Sequence, residues 1–187
     1  MAEVLRLSSG FIIGPFREPS PEKILLQSKG AFGSGSHPTT RLCLEILDSL
    51  YPDCSPALDL GAGTGILALL LAKKGWRRVL AVEPDPKAIR VLAENILRNR
   101  MEERILPVKG DLSCLRGPFS LVVANLYLRI LVPEAPNLKK LLLPGGRLVL
   151  SGFLASSLPA IKRAYTPLEV ERELVFEGWA AVSFLTP

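Results

Sequence analysis

The chain is poor in the side chains that build metal centres and disulfide frameworks. Its 187 residues include one histidine, His37, and three cysteines, Cys43, Cys54 and Cys114. One imidazole and an odd, scattered set of thiols fit neither a zinc site nor a paired disulfide scaffold, so the expectation is no metal and free thiols in a reducing compartment. Long hydrophobic runs are missing as well. The longest, Ile66 to Ala72, falls far short of the roughly 18 to 20 residues that a membrane-spanning helix needs. The opening MAEVLRLSSG carries Glu3 and lacks the cationic start and apolar core of a signal peptide, and a cytoplasmic location is expected. Aromatic residues are scarce, at 6%, and no basic run exceeds two residues, as at Lys73-Lys74, Arg77-Arg78 and Lys139-Lys140. The net charge of +5 therefore reads as solvated helix and strand ends, and a nucleic-acid substrate is not expected.

What is present is a globular composition, 48% hydrophobic and 22% charged, in a length that suits one domain with a full core. From Ala57 onward, strand and helix patterns alternate. Strands are expected at about 57–60, 78–83, 104–108, 121–124 and 147–150. Helices are expected at about 64–74, stopped by Gly75, from the Asp85-Pro86 cap to about Asn99, and at about 133–142 and 156–165. Pro144-Gly145-Gly146 reads as a turn. Two final strands, 168–176 and 179–185, are split by Glu177-Gly178, and so short a connection favours an antiparallel pair. Residues 1–30 read as two short strands joined by a turn, followed by a helix that starts at His37-Pro38-Thr39-Thr40. The pattern implies an α/β fold: a mostly parallel seven-stranded sheet with an antiparallel last strand and helices on both faces. The division expected is a single domain over 1–187, with 1–30 a hairpin extension and 31–187 the core.

The most telling segment is Asp59-Leu60-Gly61-Ala62-Gly63-Thr64-Gly65, between a short apolar run and a long apolar helix. Glu83 ends the next apolar run, Val79 to Val82. Glycines let a cofactor lie against the backbone, and a carboxylate at the second strand end takes both hydroxyls of a ribose. A dinucleotide fingerprint would need a third glycine at the position of Ile66. The pattern D-x-G-x-G-x-G instead resembles the first motif of class I methyltransferases, which bind S-adenosylmethionine (SAM) on a Rossmann-like sheet. Asp59, Gly61, Gly63 and Glu83 are accordingly candidate cofactor residues. Asp111, in the loop after the third strand, is a candidate for the adenine edge, with a plain turn role as the alternative. Asn125 ends the most apolar strand, where a polar group is either a strand cap or part of an active site.

Three further segments narrow the resemblance. AFGSGSHPTTRLCLEIL, VVANLYLRIL and LLLPGGRLVLSGFLAS are similar to segments of the ribosomal-protein lysine methyltransferases, the PrmA family, over about residues 30 to 157. The resemblance implies cofactor contacts at Thr40, Gly61, Glu83 and Asn125, and makes Phe32 an aromatic lining the methyl-donor pocket. The family usually has Asp where this chain has Glu83, and either carboxylate can hold a ribose. The family also carries a separate small substrate-gripping domain, whereas about 30 residues precede Ala31 here, so the chain resembles the catalytic half alone.

The activity implied is SAM-dependent methyl transfer to a protein amine, most naturally lysine, on a ribosomal or other protein partner. Asn125 and Tyr127 are the candidates for holding the amine. His37 is either a base or a structural hydrogen-bonder at a helix start. Other readings are an enzyme of the electron-transfer flavoprotein beta-subunit type, a small-molecule methyltransferase, and a non-catalytic SAM-binding subunit. A nucleic-acid amine methyltransferase would carry Asn/Asp-Pro-Pro-aromatic after the fourth strand, and Asn125-Leu126-Tyr127-Leu128 lacks both prolines.

Overall fold

The computed structural model describes residues 4–52 and 56–187; Cys54 lies outside the described residues. Three short strands open the chain: β1 (Leu5–Arg6), β2 (Ile12–Gly14) and β3 (Lys23–Leu25). Helix α1 (Pro38–Ser49) follows, with His37 as its N-cap. The His37 ring accepts from the Thr39 N–H, and Pro38 supplies a preset φ in the first turn. The alternating body then runs β4 (Ala57–Leu60), α2 (Ile66–Lys74), β5 (Val79–Glu83), α3 (Pro86–Arg98), β6 (Ile105–Lys109), β7 (Phe119–Asn125), α4 (Leu128–Leu131), α5 (Ala135–Lys140), β8 (Leu142–Leu154), α6 (Leu158–Tyr165), β9 (Glu169–Phe176) and β10 (Trp179–Leu185). Gly75, at φ 118°, ends α2, and the Asp85 carboxylate accepts from the Lys87 N–H to start α3.

The main sheet has seven strands in the order β6-β5-β4-β7-β8-β10-β9. All pairs from β6 to β8 are parallel, and β10 lies antiparallel to both β8 and β9. Strand side chains alternate between two cores, as the pleat requires. Ala57, Ala81, Val123 and Val149 face α1, α2 and α3, while Leu58, Val82, Val122 and Leu148 face α4, α5 and α6. Strand order reverses between β4 and β7, and their carboxyl ends emerge side by side, Leu60 opposite Ala124.

Three expectations need correction. The N-terminal segment is not two strands but three: β1 and β2 pair antiparallel, and β3 adds parallel to β2. A hairpin needs only a tight turn, whereas here residues 15–22 cross over so that Ile13 and Ile24 both reach the core. Pro144-Gly145-Gly146 does not end an element. It bulges inside the thirteen-residue strand β8, where the register with β7 slips between Phe119 and Leu121. The helix expected at 133–142 is shorter and is preceded by α4, whose apolar pattern is too brief to read from periodicity.

The small sheet is fastened to the core by two asparagines, Asn95 on the inner face of α3 and Asn99 at its C-cap. Asn99 accepts from the Leu25 N–H (2.9 Å) and donates to the Leu25 carbonyl (2.8 Å), and Asn95 does the same for Gln27 (3.0 and 2.9 Å). Each side-chain amide stands in for a neighbouring strand, giving β3 and the residues after it partners they would otherwise lack.

A close backbone crossing fixes the end of β7. The Leu126 N–H donates to the Ser151 carbonyl at 3.0 Å, and the Leu126 carbonyl lies where a Cβ on Gly152 would sit, 2.3 Å away. Gly152 is at φ 97°. Gly152→Ala is therefore expected to cost well over the 1 to 3 kcal/mol, roughly, of a strained φ alone, whereas Gly145→Ala, at φ 71° with nothing within 4 Å, should cost only that strain. Urea denaturation of both variants measures the difference; equal costs would refute the crossing as the cause.

Candidate active site

The reversal of strand order places two loops edge to edge, and open parallel sheets hold ligands there. The first is the glycine loop after β4. Gly61, Gly63 and Gly65 have φ of 74°, 55° and 81°, a region that side chains with a Cβ rarely adopt. A Cβ on Gly61 would lie 2.5 Å from Leu126 Cδ2, and one on Gly63 would lie 2.4 Å from the Phe32 carbonyl oxygen. Leu126 thus covers Gly61, and the Phe32 backbone covers Gly63. Thr64 stitches the same segment down: its N–H donates to the Phe32 carbonyl (2.9 Å) and its hydroxyl to the Gly33 carbonyl (2.7 Å).

Glu83, at the end of β5, is buried and already bridges. Its Oε2 accepts from the Gly63 N–H (2.8 Å) and its Oε1 from the Asp85 N–H (2.9 Å). Asp59 points below the loop, 1% exposed, with Oδ2 accepting from the Ala68 N–H at 3.0 Å. Its Oδ1 has no hydrogen-bond partner among the described residues. Burial, and next the negative charge of Glu83, raise its carboxyl to about 7. Beside it, Cys43 is a buried thiol whose ionisation burial likewise opposes.

Asn125 and Thr40 meet across the other side. Asn125 Nδ2 donates to Thr40 Oγ1 at 3.4 Å, while Asn125 Oδ1 is buried and without a partner among the described residues. Phe32 is 52% exposed, with its ring 5.5 Å from that of His37. The His37 imidazole caps α1 and contacts the Thr39 hydroxyl at 2.8 Å. Asp111 makes the contacts of a turn residue while lining the groove: its Oδ1 accepts from the Ser113 hydroxyl and N–H, which hold its carboxyl below the ordinary range.

Two grooves lie beside the residues that follow β7. One, about 690 Å³, is lined by Leu60, Gly61, Pro84, Asp111, Leu112 and Leu126 and continues towards Glu134 and Lys140. The other, about 470 Å³, is lined by Tyr127, Arg129, Leu154 and Trp179 among others. Tyr127 is 63% exposed and carries the Arg129 guanidinium over its ring at 5.1 Å.

The structure therefore joins Gly61 with Asp111 in one groove, Gly63 with Glu83 and Phe32 at the loop, and Thr40 with Asn125. Tyr127 stands apart on the second groove. Sequence reasoning missed Trp179, whose ring meets His37 edge-on at 4.8 Å, and it missed Thr64, Asn95 and Gly152. Asn95 carried a signal: it falls on the buried stripe of α3 with Ala88, Val91, Leu92 and Ile96. Trp179 carried none, because only the sheet order brings β10 to α1. Among the described residues no cluster of histidine, cysteine and acidic side chains is placed to hold a metal, and no helix is long and apolar enough to cross a membrane.

The chain is similar to known proteins in sequence and in fold. The ribosomal protein L11 methyltransferase of Janthinobacterium sp. (strain Marseille) is 39% identical over 173 residues, covering 90% of this chain and 56% of that protein. Its counterpart from Geobacter sp. (strain M21) is 38% identical over 165 residues, covering 84% and 53%. The chain thus spans a little over half the length of these relatives. A crystal structure of the ribosomal protein L11 methylase from Lactobacillus delbrueckii subsp. bulgaricus superposes with a TM-score of 0.84 at 25% identity, covering 97% of each chain. The family model for ribosomal protein L11 methyltransferase (PrmA) matches residues 4–186, and this chain belongs to that family.

Proposed function

We propose that residues 1–187 form a single catalytic domain, with 1–30 as an extension, that transfers methyl from SAM to a protein amine, most naturally a lysine. The observation that carries this reading is the glycine loop at the reversal of strand order, with one open groove running from Gly61 past Pro84, Asp111 and Leu126 and a second at Tyr127 and Trp179. One groove borders the glycine loop and suits the cofactor; the other, lined by Tyr127 and Trp179, suits an acceptor side chain. This end of the sheet fits SAM by its chemistry. SAM bears a cationic sulfur, an ammonium and ribose hydroxyls, and the strand ends around the glycine loop carry Glu83 and the unpartnered Asn125 Oδ1 as acceptors, with Asp59 a buried carboxyl beneath the loop. Asp111 lines the first groove and would take the adenine edge, and Phe32 and Thr40 are further candidates to hold the cofactor.

The bound cofactor supplies an electrophilic methyl group on a sulfur that leaves as a neutral thioether. The protein's part is alignment and dehydration of the reactants. A lysine acceptor must shed a proton, which costs about 4 to 5 kcal/mol at neutral pH from its reference value. An apolar groove disfavours the ammonium and lowers that cost, so no dedicated strong base is needed. Asn125 Oδ1 is an acceptor suited to holding the amine N–H. His37, engaged as a helix cap and packed between Phe32 and Trp179, acts as a structural hydrogen-bonder. The relatives are named for ribosomal protein L11, which makes that protein the first acceptor to try.

Three outcomes are expected. Glu83→Ala should weaken SAM binding by about 1.5 to 3 kcal/mol through the lost charge-assisted hydrogen bonds, as read by calorimetry; wild-type protein that binds NAD and ignores SAM would end this reading. Asp59 links binding to pH. Its folded value is raised, so its contribution to stability is full below about pH 4, its unfolded range, and is lost as pH rises through about 7. A cation bound near the loop favours the ionised form, so SAM binding at or below about pH 7 should release protons. Calorimetry in buffers of differing ionisation enthalpy detects that release, and Asp59→Asn should abolish it. Finally, Asn125→Ala should lower methyl transfer far more than it lowers stability. Labelled SAM should mark a discrete protein band that protease removes and nuclease does not; label that follows RNA or a small molecule would favour those acceptors instead.

A further inference from the structure

The Asn95 side chain hydrogen-bonds both the N-terminal segment and the glycine loop. It is fully buried on α3. Its Oδ1 accepts from the Gln27 N–H at 3.0 Å, and its Nδ2 donates both to the Gln27 carbonyl and to the Thr64 carbonyl, each at 2.9 Å. Both donors of the amide are thus spent, and its oxygen is engaged. Thr64 is equally committed. Its carbonyl is held by Asn95, while its N–H and hydroxyl hold the carbonyls of Phe32 and Gly33. The first turn of α3 is fixed to the same place, because Glu83 accepts from the Asp85 N–H on one oxygen and from the Gly63 N–H on the other. The loop is therefore clamped at two points, at Gly63 by Glu83 at the end of β5, which also holds the N-cap of α3, and at Thr64 by Asn95 on α3.

We infer that Asn95 is a positioning residue for cofactor binding, which holds the Gly61–Gly65 loop and the Phe32-Gly33 segment in register through Thr64. The inference rests on the reading of this loop as the SAM site. The physical reason lies in the glycines. Gly61, Gly63 and Gly65 lose more backbone freedom on ordering than other residues, so the loop needs external restraints to present one conformation. The loop backbone between Gly63 and Gly65 finds them in Thr64. A leucine at position 95 would keep the volume but leave the Thr64 and Gln27 carbonyls without their donors, and a loop free to sample other conformations would bind ligand more weakly in proportion to the fraction out of place.

Asn99 is the internal control. It sits one turn further along the same helix and is also fully engaged, with both polar groups of Leu25 and with the Asn95 carbonyl. It anchors the N-terminal sheet as Asn95 does but makes no hydrogen bond to the glycine loop. A purely structural role for the two would give matching effects. A positioning role for Asn95 separates them.

The test compares Asn95→Leu, Asn99→Leu, Thr64→Val and Thr64→Ser in three measurements: S-adenosylhomocysteine affinity by calorimetry, hydrogen exchange of the ligand-free protein over residues 31–37 and 61–65, and the urea midpoint. Asn95→Leu and Thr64→Val should each weaken binding tenfold or more and speed exchange in both segments, with Thr64→Ser restoring wild-type behaviour. Asn99→Leu should lower the urea midpoint yet leave affinity within twofold and exchange in those segments unchanged. Equal losses of affinity in the Asn95 and Asn99 variants, or unchanged affinity and exchange in Asn95→Leu, would overturn the inference. If Asn95→Leu does not fold, Thr64→Val against Thr64→Ser decides: no faster exchange and no weaker binding in the valine variant overturns it. Wild-type protein that fails to bind S-adenosylhomocysteine would refute the functional reading instead, while the exchange arm still decides on the clamp.

Discussion

The parallel pairing of β4 with β7 is the constraint on which the site depends. It sets Leu60 beside Ala124, so that the residues just beyond, Gly61 and Asn125, emerge together. The strand on the other side of β7 then sets Asn125 beside Ser151 and brings Gly152 under the Leu126 carbonyl. Shift either register by one residue and every side chain of β7 changes face. The apolar content of Leu121, Val122, Val123 and Ala124, all buried, makes that slip prohibitive. Core packing therefore positions a polar turn that makes little core of its own.

Around this turn the molecule satisfies its backbone with side chains wherever the sheet runs out. Asn95 and Asn99 act as an edge for the N-terminal residues, Glu83 accepts from two N–H groups, and Thr64 donates to two carbonyls. These contacts explain why the first strands of the chain belong to the architecture of the site. They also explain the presence of polar residues on faces that periodicity marks as buried.

Much of this was legible in the sequence. The body of the sheet follows from apolar runs punctuated by Gly75, Asp85-Pro86 and Glu177-Gly178, because those signals act locally through backbone conformation. The glycine loop and Glu83 were legible for the same reason. What stayed hidden depends on distant partners. Gln27 and Thr64 meet at Asn95 only through tertiary packing, and Trp179 reaches His37 only because β10 lies between β8 and β9. The turn chemistry of Asp111 was foreseeable as one of two roles, and its Ser113 contacts are those of the turn. Pro144-Gly145-Gly146 misled because a bulge and a turn have the same composition, and only the register with Phe119 distinguishes them.

The buried acid beneath the loop has a consequence for the direction of exchange. Asp59 has so little access to water that a neighbouring charge acts on it with little screening, and Glu83 already adds to its difficulty in ionising. A cation brought near it favours its ionised form, whereas a neutral group does not. On the function proposed above, which turns a sulfonium into a thioether, that attraction would be stronger before the reaction than after it, and the reaction itself would loosen the hold on what remains.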